Sequence, residues 1–313
     1  MIRIATRRSP LAKWQANHVA GLLRAQEPDL EVRLHELVTK GDRILEVPLA
    51  EVGGKGLFVK EIEDALLAGQ AEIAVHSMKD LPALLAPGLV VGAVPEREDP
   101  RDALCSSKAR SLADLPKGAR VGTSSLRRGA QLKALRPDLR IEMVRGNVET
   151  RLRKGETELD AVVLAYAGLR RLGLAGRASY VFDPEEMLPA VAQGALALEA
   201  RADDAATLAR LARLEHPETR VRVEAERGFL ARLEGGCQVP LAGHAVVREG
   251  KVVVRGLVAS LDGVRVVRGE RSGPAAEAAR IGEALAEDLL SKGAAAILRE
   301  CEGAGPALTA PRR

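Results

Sequence analysis

The sequence predicts an α/β protein with more than one hydrophobic core. Three observations lead there. Short apolar strand runs alternate with amphipathic helical runs through most of the chain. From about Pro217 the texture changes to closely spaced strand runs joined by tight turns. The length of 313 residues also exceeds the roughly 250–300 that one core usually fills.

The elements follow in order. Ile2 to Ala5 reads as a strand, and Ser9-Pro10 as a helix cap followed by proline at the first helical position. Ala12, Ala16, Val19 and Leu23 then share one helical face. Val32 to Val38 is a second strand, and Gly53-Gly54-Lys55-Gly56 a flexible loop. It leads to a helix carrying Phe58, Ile62, Ala65 and Leu66 that stops at Gly69. Glu72 to Ser77 and Leu89 to Val94 are further strands. Pro95 to Asp102, charged and bounded by prolines, reads as an inter-domain linker.

The alternation then resumes. Strands are expected at Arg120 to Thr123, Leu139 to Val144 and Leu159 to Ala165, which predicts a largely parallel sheet in each half. Gly69 to Val75 weakly echoes Gly155 to Val163, as two similar domains would. Later runs at Ala242 to Val247, Lys251 to Ala259 and Val264 to Glu270 are joined by Glu249-Gly250 and Asp262-Gly263, the pattern of antiparallel hairpins. Ala278, Ile281, Leu285 and Leu289 mark a closing helix, and the tail from Gly303 is expected to fray.

Composition excludes several classes. The net charge of +4 balances 47 basic against 43 acidic side chains, too slight for a dedicated nucleic-acid binder. Aromatics are 2% of residues, which argues against a base-stacking platform. No apolar window is long enough to span a membrane, and the N-terminus has no signal-peptide pattern. Three sparse cysteines, Cys105, Cys237 and Cys301, suit a reducing cytoplasm without disulfides. No paired Cys or His spacing suggests a metal, so none is expected.

Three loop clusters and one thiol could carry chemistry. His76-Ser77-Met78-Lys79-Asp80 follows a strand, where open α/β sheets bind ligands, and Asp80 is an acid–base candidate; His76 reads as structural. Gly122-Thr123-Ser124-Ser125-Leu126-Arg127-Arg128 places hydroxyls and two arginines at a helix start, an anion-binding arrangement. A first helical turn normally favours acids, so the two arginines are locally unfavourable there. In Arg145-Gly146-Asn147, Gly146 permits close approach and Asn147 can cap the following helix. Arg7-Arg8 and Arg170-Arg171 add guanidinium groups suited to carboxylates. Cys237 follows a double glycine, in a loop that exposes a thiol. On these residues alone, a non-catalytic two-lobed anion binder and a cysteine-dependent acyltransferase also remain open.

Together the motifs resemble the porphobilinogen deaminase (hydroxymethylbilane synthase) family. The resemblance runs from Arg3 to about Gly243, through Arg3 to Ala12, Val52 to Phe58, Ala74 to Asp80, Gly122 to Arg128, Arg145 to Asn147 and Leu233 to Pro240. It implies three domains: two lobes like those of periplasmic binding proteins, with the active cleft between them, and a small α+β C-terminal domain with an antiparallel sheet. The expected bounds are 1–95 with 195–214, 101–190, and 217–302. It implies a transferase that condenses four porphobilinogen units with loss of ammonia, then hydrolyses off hydroxymethylbilane for tetrapyrrole biosynthesis.

The resemblance also implies roles. Cys237 would carry a dipyrromethane cofactor through a thioether, and Asp80 would be catalytic. Lys79, Asp80, Ser9, Thr123, Ser124, Ser125, Arg127, Arg128, Arg145, Gly146 and Arg151 would hold the cofactor. Arg7, Ser9, Lys55, Arg145, Arg151, Arg171 and Gln193 would hold porphobilinogen and the growing polypyrrole chain. A cytoplasmic monomer without metal, membrane or nucleic-acid partner is expected. Two positions depart from the family pattern: Glu51 stands where many relatives have lysine, and Ala192-Gln193-Gly194 replaces Gly-Gln-Gly.

Overall fold

The computed structural model describes residues 1–39, 59–82, 84–233 and 239–303. It is a mixed α/β protein, and the described residues form two five-stranded sheets and one three-stranded antiparallel sheet. The described residues fall into two compact units, one holding the chain up to Glu98 and Gly194–Arg220, the other Asp99–Gln193 and Val221 onward.

The first unit contains β1 (Ile2–Arg7), α1 (Pro10–Gln26), β2 (Val32–Leu37), α2 (Lys60–Leu67), β3 (Ile73–Ser77), β4 (Leu89–Ala93), β10 (Leu196–Arg201) and α6 (Ala205–Ala212). Its strand order is β2-β1-β3-β10-β4. Strands β1, β2 and β3 are parallel, and β10 runs antiparallel to both its neighbours. Alternation along the strands serves both faces: Ile73 and Val75 join Ile4, Val19 and Leu198, whereas Ala74 joins Ile62 and Leu66 of α2. The apolar stripe of α1 is buried as its spacing predicts, and Ser9 Oγ accepts from Ala12 N–H at its start. Gly69 stops α2 at a positive φ of 65°.

The second unit repeats that plan. It contains β5 (Asp102–Cys105), β6 (Arg120–Gly122), α3 (Leu126–Leu135), β7 (Arg140–Glu142), α4 (Val148–Thr157), β8 (Ala161–Ala165), α5 (Tyr166–Arg171) and β9 (Tyr180–Val181). The order is β7-β6-β8-β5-β9, with β6, β7 and β8 parallel and β5 antiparallel to β8 and β9. The slots match those of the first sheet, and the echoing segments supply β3 and β8, which hold the same position. The expected largely parallel sheets are therefore each interrupted by one reversed strand. In the first unit the chain returns to supply it; in the second it enters with it.

The three-stranded sheet belongs to the second unit. It consists of β11 (Leu241–Arg248), β12 (Lys251–Ala259) and β13 (Val266–Pro274), joined in antiparallel register. The turn glycines Gly250 and Gly263 have positive φ. The third strand starts and ends later than expected, because Val264 and Arg265 close the turn: Ser260 N–H donates to Arg265 O. Two helices pack on this region, α7 (Pro217–Arg232) and α8 (Ala278–Leu289), and α9 (Ala295–Gly303) follows. Leu257, Ala259 and Ala242 meet Ala130 of α3 and Leu188, which ties the sheet to the helix that follows the Thr123–Ser125 loop.

Asp102, placed in the linker by its charged neighbours, is the first residue of β5 and is fully buried. Local composition hid it, because its partners lie elsewhere in the sequence.

Candidate functional site

In the first unit the sheet's register gathers the expected residues at one edge. Parallel β1 and β3 end at Arg7 and Ser77, and antiparallel β10 begins there, with Leu196 opposite Ser77. Ser9 caps α1 just beyond β1. Met78–Asp80 forms a single 3-10 turn that carries Lys79 and an exposed Asp80. That turn has a firm base: Met78 N–H donates to Ala195 O, and Leu81 N–H to Met78 O. Beside it, Gln15 Nε2 donates to Ser77 Oγ at 2.8 Å. Beneath it, His76 Nε2 and Glu199 Oε2 lie 2.9 Å apart, both buried, which fits the structural reading of His76. Glu63 stands near this pair, and burial raises its pKa despite a hydrogen bond from Ala86 N–H.

The second unit repeats the logic at its own edge. Parallel β6, β7 and β8 all end there, leading into Thr123–Ser125, Arg145–Asn147 and α5 with Arg171. Ser125 caps α3 by accepting from Arg128 N–H, and Asn147 caps α4 by accepting from Thr150 N–H at 2.8 Å. Gly146 has φ 114°, and an added Cβ would strike Thr150, so this turn requires glycine. Arg151 Nε donates to Gly146 O at 2.8 Å, which braces the turn from the following helix. Arg145 and Arg151 are half-buried and Arg171 is buried.

Because β5 runs the other way, its first residue sits at this same edge, with Asp102 opposite Ala165. Asp102 is 0% exposed, and Arg127 and Arg128 are 5% and 6% exposed. Arg127 Nη1 donates to Asp102 Oδ2 at 2.6 Å; Arg128 Nε donates to Oδ1 at 2.9 Å. Arg127 Nη1 also reaches Leu188 O at 2.8 Å, and Arg128 Nη1 reaches Val163 O at 3.2 Å. Gln193 Nε2 donates to Asp102 Oδ1 at 2.9 Å and to Pro100 O at 2.7 Å. Burial alone pushes the Asp102 carboxyl up; the two guanidinium groups, with hydrogen bonds from Arg127 and Gln193, outweigh it and hold it well below the usual carboxylate range.

The acid missing from the first turn of α3 is thus supplied by another strand. The arginines expected to face an anion turn inward onto Asp102. Arg127 Nε is nevertheless buried without a hydrogen-bond partner, and two guanidinium charges face one carboxylate. Sequence reasoning missed Asp102 as the partner of these arginines; their imbalance was the signal that an acid had to lie nearby.

Lys55, Cys237 and Glu51 lie outside the described residues. Cys105 is buried and Cys301 half-buried. Among the described residues, no helix is long and apolar enough to cross a membrane, and no group of three or more His, Cys, Asp or Glu side chains could hold a metal ion.

The fold and these two edges define a class: an α/β protein that presents arginines, hydroxyls and a carboxylate at the carboxyl ends of its parallel strands, the ligand-binding end of open α/β sheets. Comparison with known proteins makes the assignment particular. Residues 2–209 match the porphobilinogen deaminase dipyromethane cofactor binding domain, and residues 220–291 match the porphobilinogen deaminase C-terminal domain. A porphobilinogen deaminase of Nitratidesulfovibrio vulgaris strain Miyazaki F is 56% identical, over 97% of this chain and 98% of its own. One from Syntrophobacter fumaroxidans is 52% identical, over 96% of this chain and 97% of its own. The chain belongs to the porphobilinogen deaminase family. Among solved structures, the methionine-binding protein MetQ aligns at a TM-score of 0.44 and 15% identity, over 68% of this chain and 89% of its own.

Proposed function

We propose that this protein joins four porphobilinogen units head to tail with release of ammonia, then hydrolyses the product to hydroxymethylbilane for tetrapyrrole biosynthesis. The observation that carries the reading is the buried Arg127–Asp102–Arg128 cluster, two bases on one acid at a ligand-binding sheet edge. Acetate and propionate groups of an acidic pyrrole suit such a surplus of guanidinium charge. The unpartnered Arg127 Nε and the nearby Thr123–Ser125 hydroxyls fit the dipyrromethane cofactor of the family.

When bound, through a thioether that we assign to Cys237, that cofactor supplies the primer on which the chain is built. Arg127, Arg128, Arg145 and Arg151, with Ser9, Lys79, the Thr123–Ser125 loop and Gly146, hold its carboxylates. Arg7, Ser9, Lys55, Arg145, Arg151 and Arg171 hold the incoming substrate and the lengthening product; Gln193, expected among them, is fully buried and bonded to Asp102 and Pro100, so it acts behind the arginines instead.

Asp80 carries the chemistry. The amino group of porphobilinogen leaves as ammonia, and positive charge develops on the pyrrole. A fixed carboxylate beside the pyrrole nitrogen stabilises that charge and accepts or returns a proton. The short turn on β3 keeps Asp80 in place for each addition. This reading retains the three-domain assignment (1–95 with 195–214; 101–190; 217–302), with the last as the cofactor-anchoring domain. It also has the enzyme act as a cytoplasmic monomer that uses neither metal nor nucleic acid.

The test is intact mass and elongation. Wild type carries the added mass of two pyrrole rings and Cys237→Ser does not. Asp80→Asn keeps the fold but loses elongation, by about 10²–10⁴-fold, the usual contribution of a positioned acid–base group. Wild-type elongation in Asp80→Asn overturns the assignment of Asp80; retained pyrrole in Cys237→Ser overturns that of Cys237.

A further inference from the structure

The Arg127–Asp102–Arg128 cluster is closed from a third side by Gln193. Besides donating to Asp102 Oδ1, its amide accepts from Arg128 Nη2 at 3.4 Å. Gln193 is fully buried and is itself held from behind. The preceding Ala192 has φ 57°, a left-handed conformation that costs a non-glycine residue about 1–2 kcal/mol. Its N–H donates to Glu226 Oε2 at 2.6 Å, while Glu226 Oε1 accepts from Ala245 N–H at 2.7 Å. Glu226 lies on α7, the helix that precedes the Cys237 segment, and Ala245 on β11, the strand that follows it. A strained residue fixed by a buried carboxylate points to a position that matters.

We infer that Asp102 and Gln193 are positioning residues for cofactor capture: together they lock both guanidinium groups while leaving the cluster one positive charge in excess. The inference rests on the reading that Arg127 and Arg128 hold cofactor carboxylates. Asp102 sets where the two forks point. Gln193 fills the third side with a neutral amide, so it braces Asp102 without cancelling the remaining charge. A carboxylate at position 193 would match the two arginines with two acids and remove this cluster's surplus charge. The neutrality of Gln193 is therefore part of the site.

The experiment uses the full chain, expressed under conditions in which wild type acquires its cofactor. Intact mass gives the fraction of each variant that carries the pyrrole adduct, and thermal melting reports the fold. Asp102→Asn misaligns the arginines, and Gln193→Glu neutralises the cluster. Each is expected to lower the loaded fraction at least about tenfold, the scale of one lost charge-assisted contact, while keeping a cooperative melt. A purely structural role predicts the reverse for Gln193→Glu, since pairing both arginines leaves the fold intact and loading unchanged. Full loading of either folded variant overturns the inference. Should Asp102→Asn lose its cooperative melt, Gln193→Glu decides alone. Arg128→Ala separates the two claims. If it too loads fully, the arginine reading itself fails; if it is empty while Asp102→Asn and Gln193→Glu are full, only the positioning roles fail.

Discussion

Cys105 lies on the same buried strand as Asp102, and its chemistry is set by what surrounds it. Burial pushes its thiol pKa up to about 12, against the smaller opposing pull of Arg177 and Arg128. Only on the order of 10⁻⁴ of it is thiolate at pH 8. A thiol-directed reagent at that pH should therefore leave Cys105 unmodified in the folded protein and label it after denaturation, as read by peptide mass mapping. Rapid labelling in the native state would show that the strand is not closed over this residue. Asp102 presents the opposite case, a buried group that stays charged because two arginines face it. Removing one partner from such a cluster costs about 3–5 kcal/mol, because the charge left behind stays buried and uncompensated. Under the proposed function, that imbalance is what draws an acidic ligand to the cluster.

At the scale of elements, helix ends and glycine contacts do the positioning. Ser125 and Asn147 cap α3 and α4 with their own side chains, each contributing about 1 kcal/mol, and so fix where the Thr123–Ser125 and Arg145–Asn147 loops give way to helix. Helices α7 and α8 approach closely through paired glycines: an added Cβ on Gly228 would overlap Ala279 O, and one on Gly282 would overlap Ala225 O. Gly282→Ala should push the two helices apart and destabilise the protein by about 1–3 kcal/mol, the usual cost of overpacking. Thermal melting checks this, and an unchanged melt would mean that the helices separate without cost. Because Glu226 lies on α7 between Ala225 and Gly228, the same substitution should also loosen its grip on Ala192, visible as reduced protection of the Ala192 amide from hydrogen exchange.

For the whole molecule, the ligand should be part of the stability. A group that binds only the folded state stabilises it, and an acidic cofactor also neutralises surplus positive charge. The cofactor-free variant Cys237→Ser should melt below the cofactor-bearing wild type, by about 2–4 °C for each kcal/mol lost. The gap should persist as salt is added, because charges this deeply buried are screened far less than surface ones. Equal melting temperatures at low salt would show that the cofactor contributes nothing to the fold. The repeated sheet plan gives each unit an edge where three parallel strands end, and these edges explain why motifs far apart in sequence assemble.

By itself the sequence determined the α/β class, the stripe of α1, the caps at Ser9 and Asn147, the hairpins of the last sheet and the motif loops that mark the family. These are local properties: helical period, strand alternation and turn chemistry are written in neighbouring residues. The echo between the segments of β3 and β8 was legible for the same reason. Tertiary structure alone decided the reversal of one strand in each sheet, since strand direction depends on where the chain returns. It alone decided that Asp102 leaves the charged stretch around it to sit under Arg127 and Arg128, partners 25 and 26 residues away. It also decided that Gln193, 91 residues from Asp102, closes the same cluster. Charge pairing in a buried site is set by distance in space, and one strand running backwards brought that distance down to a hydrogen bond.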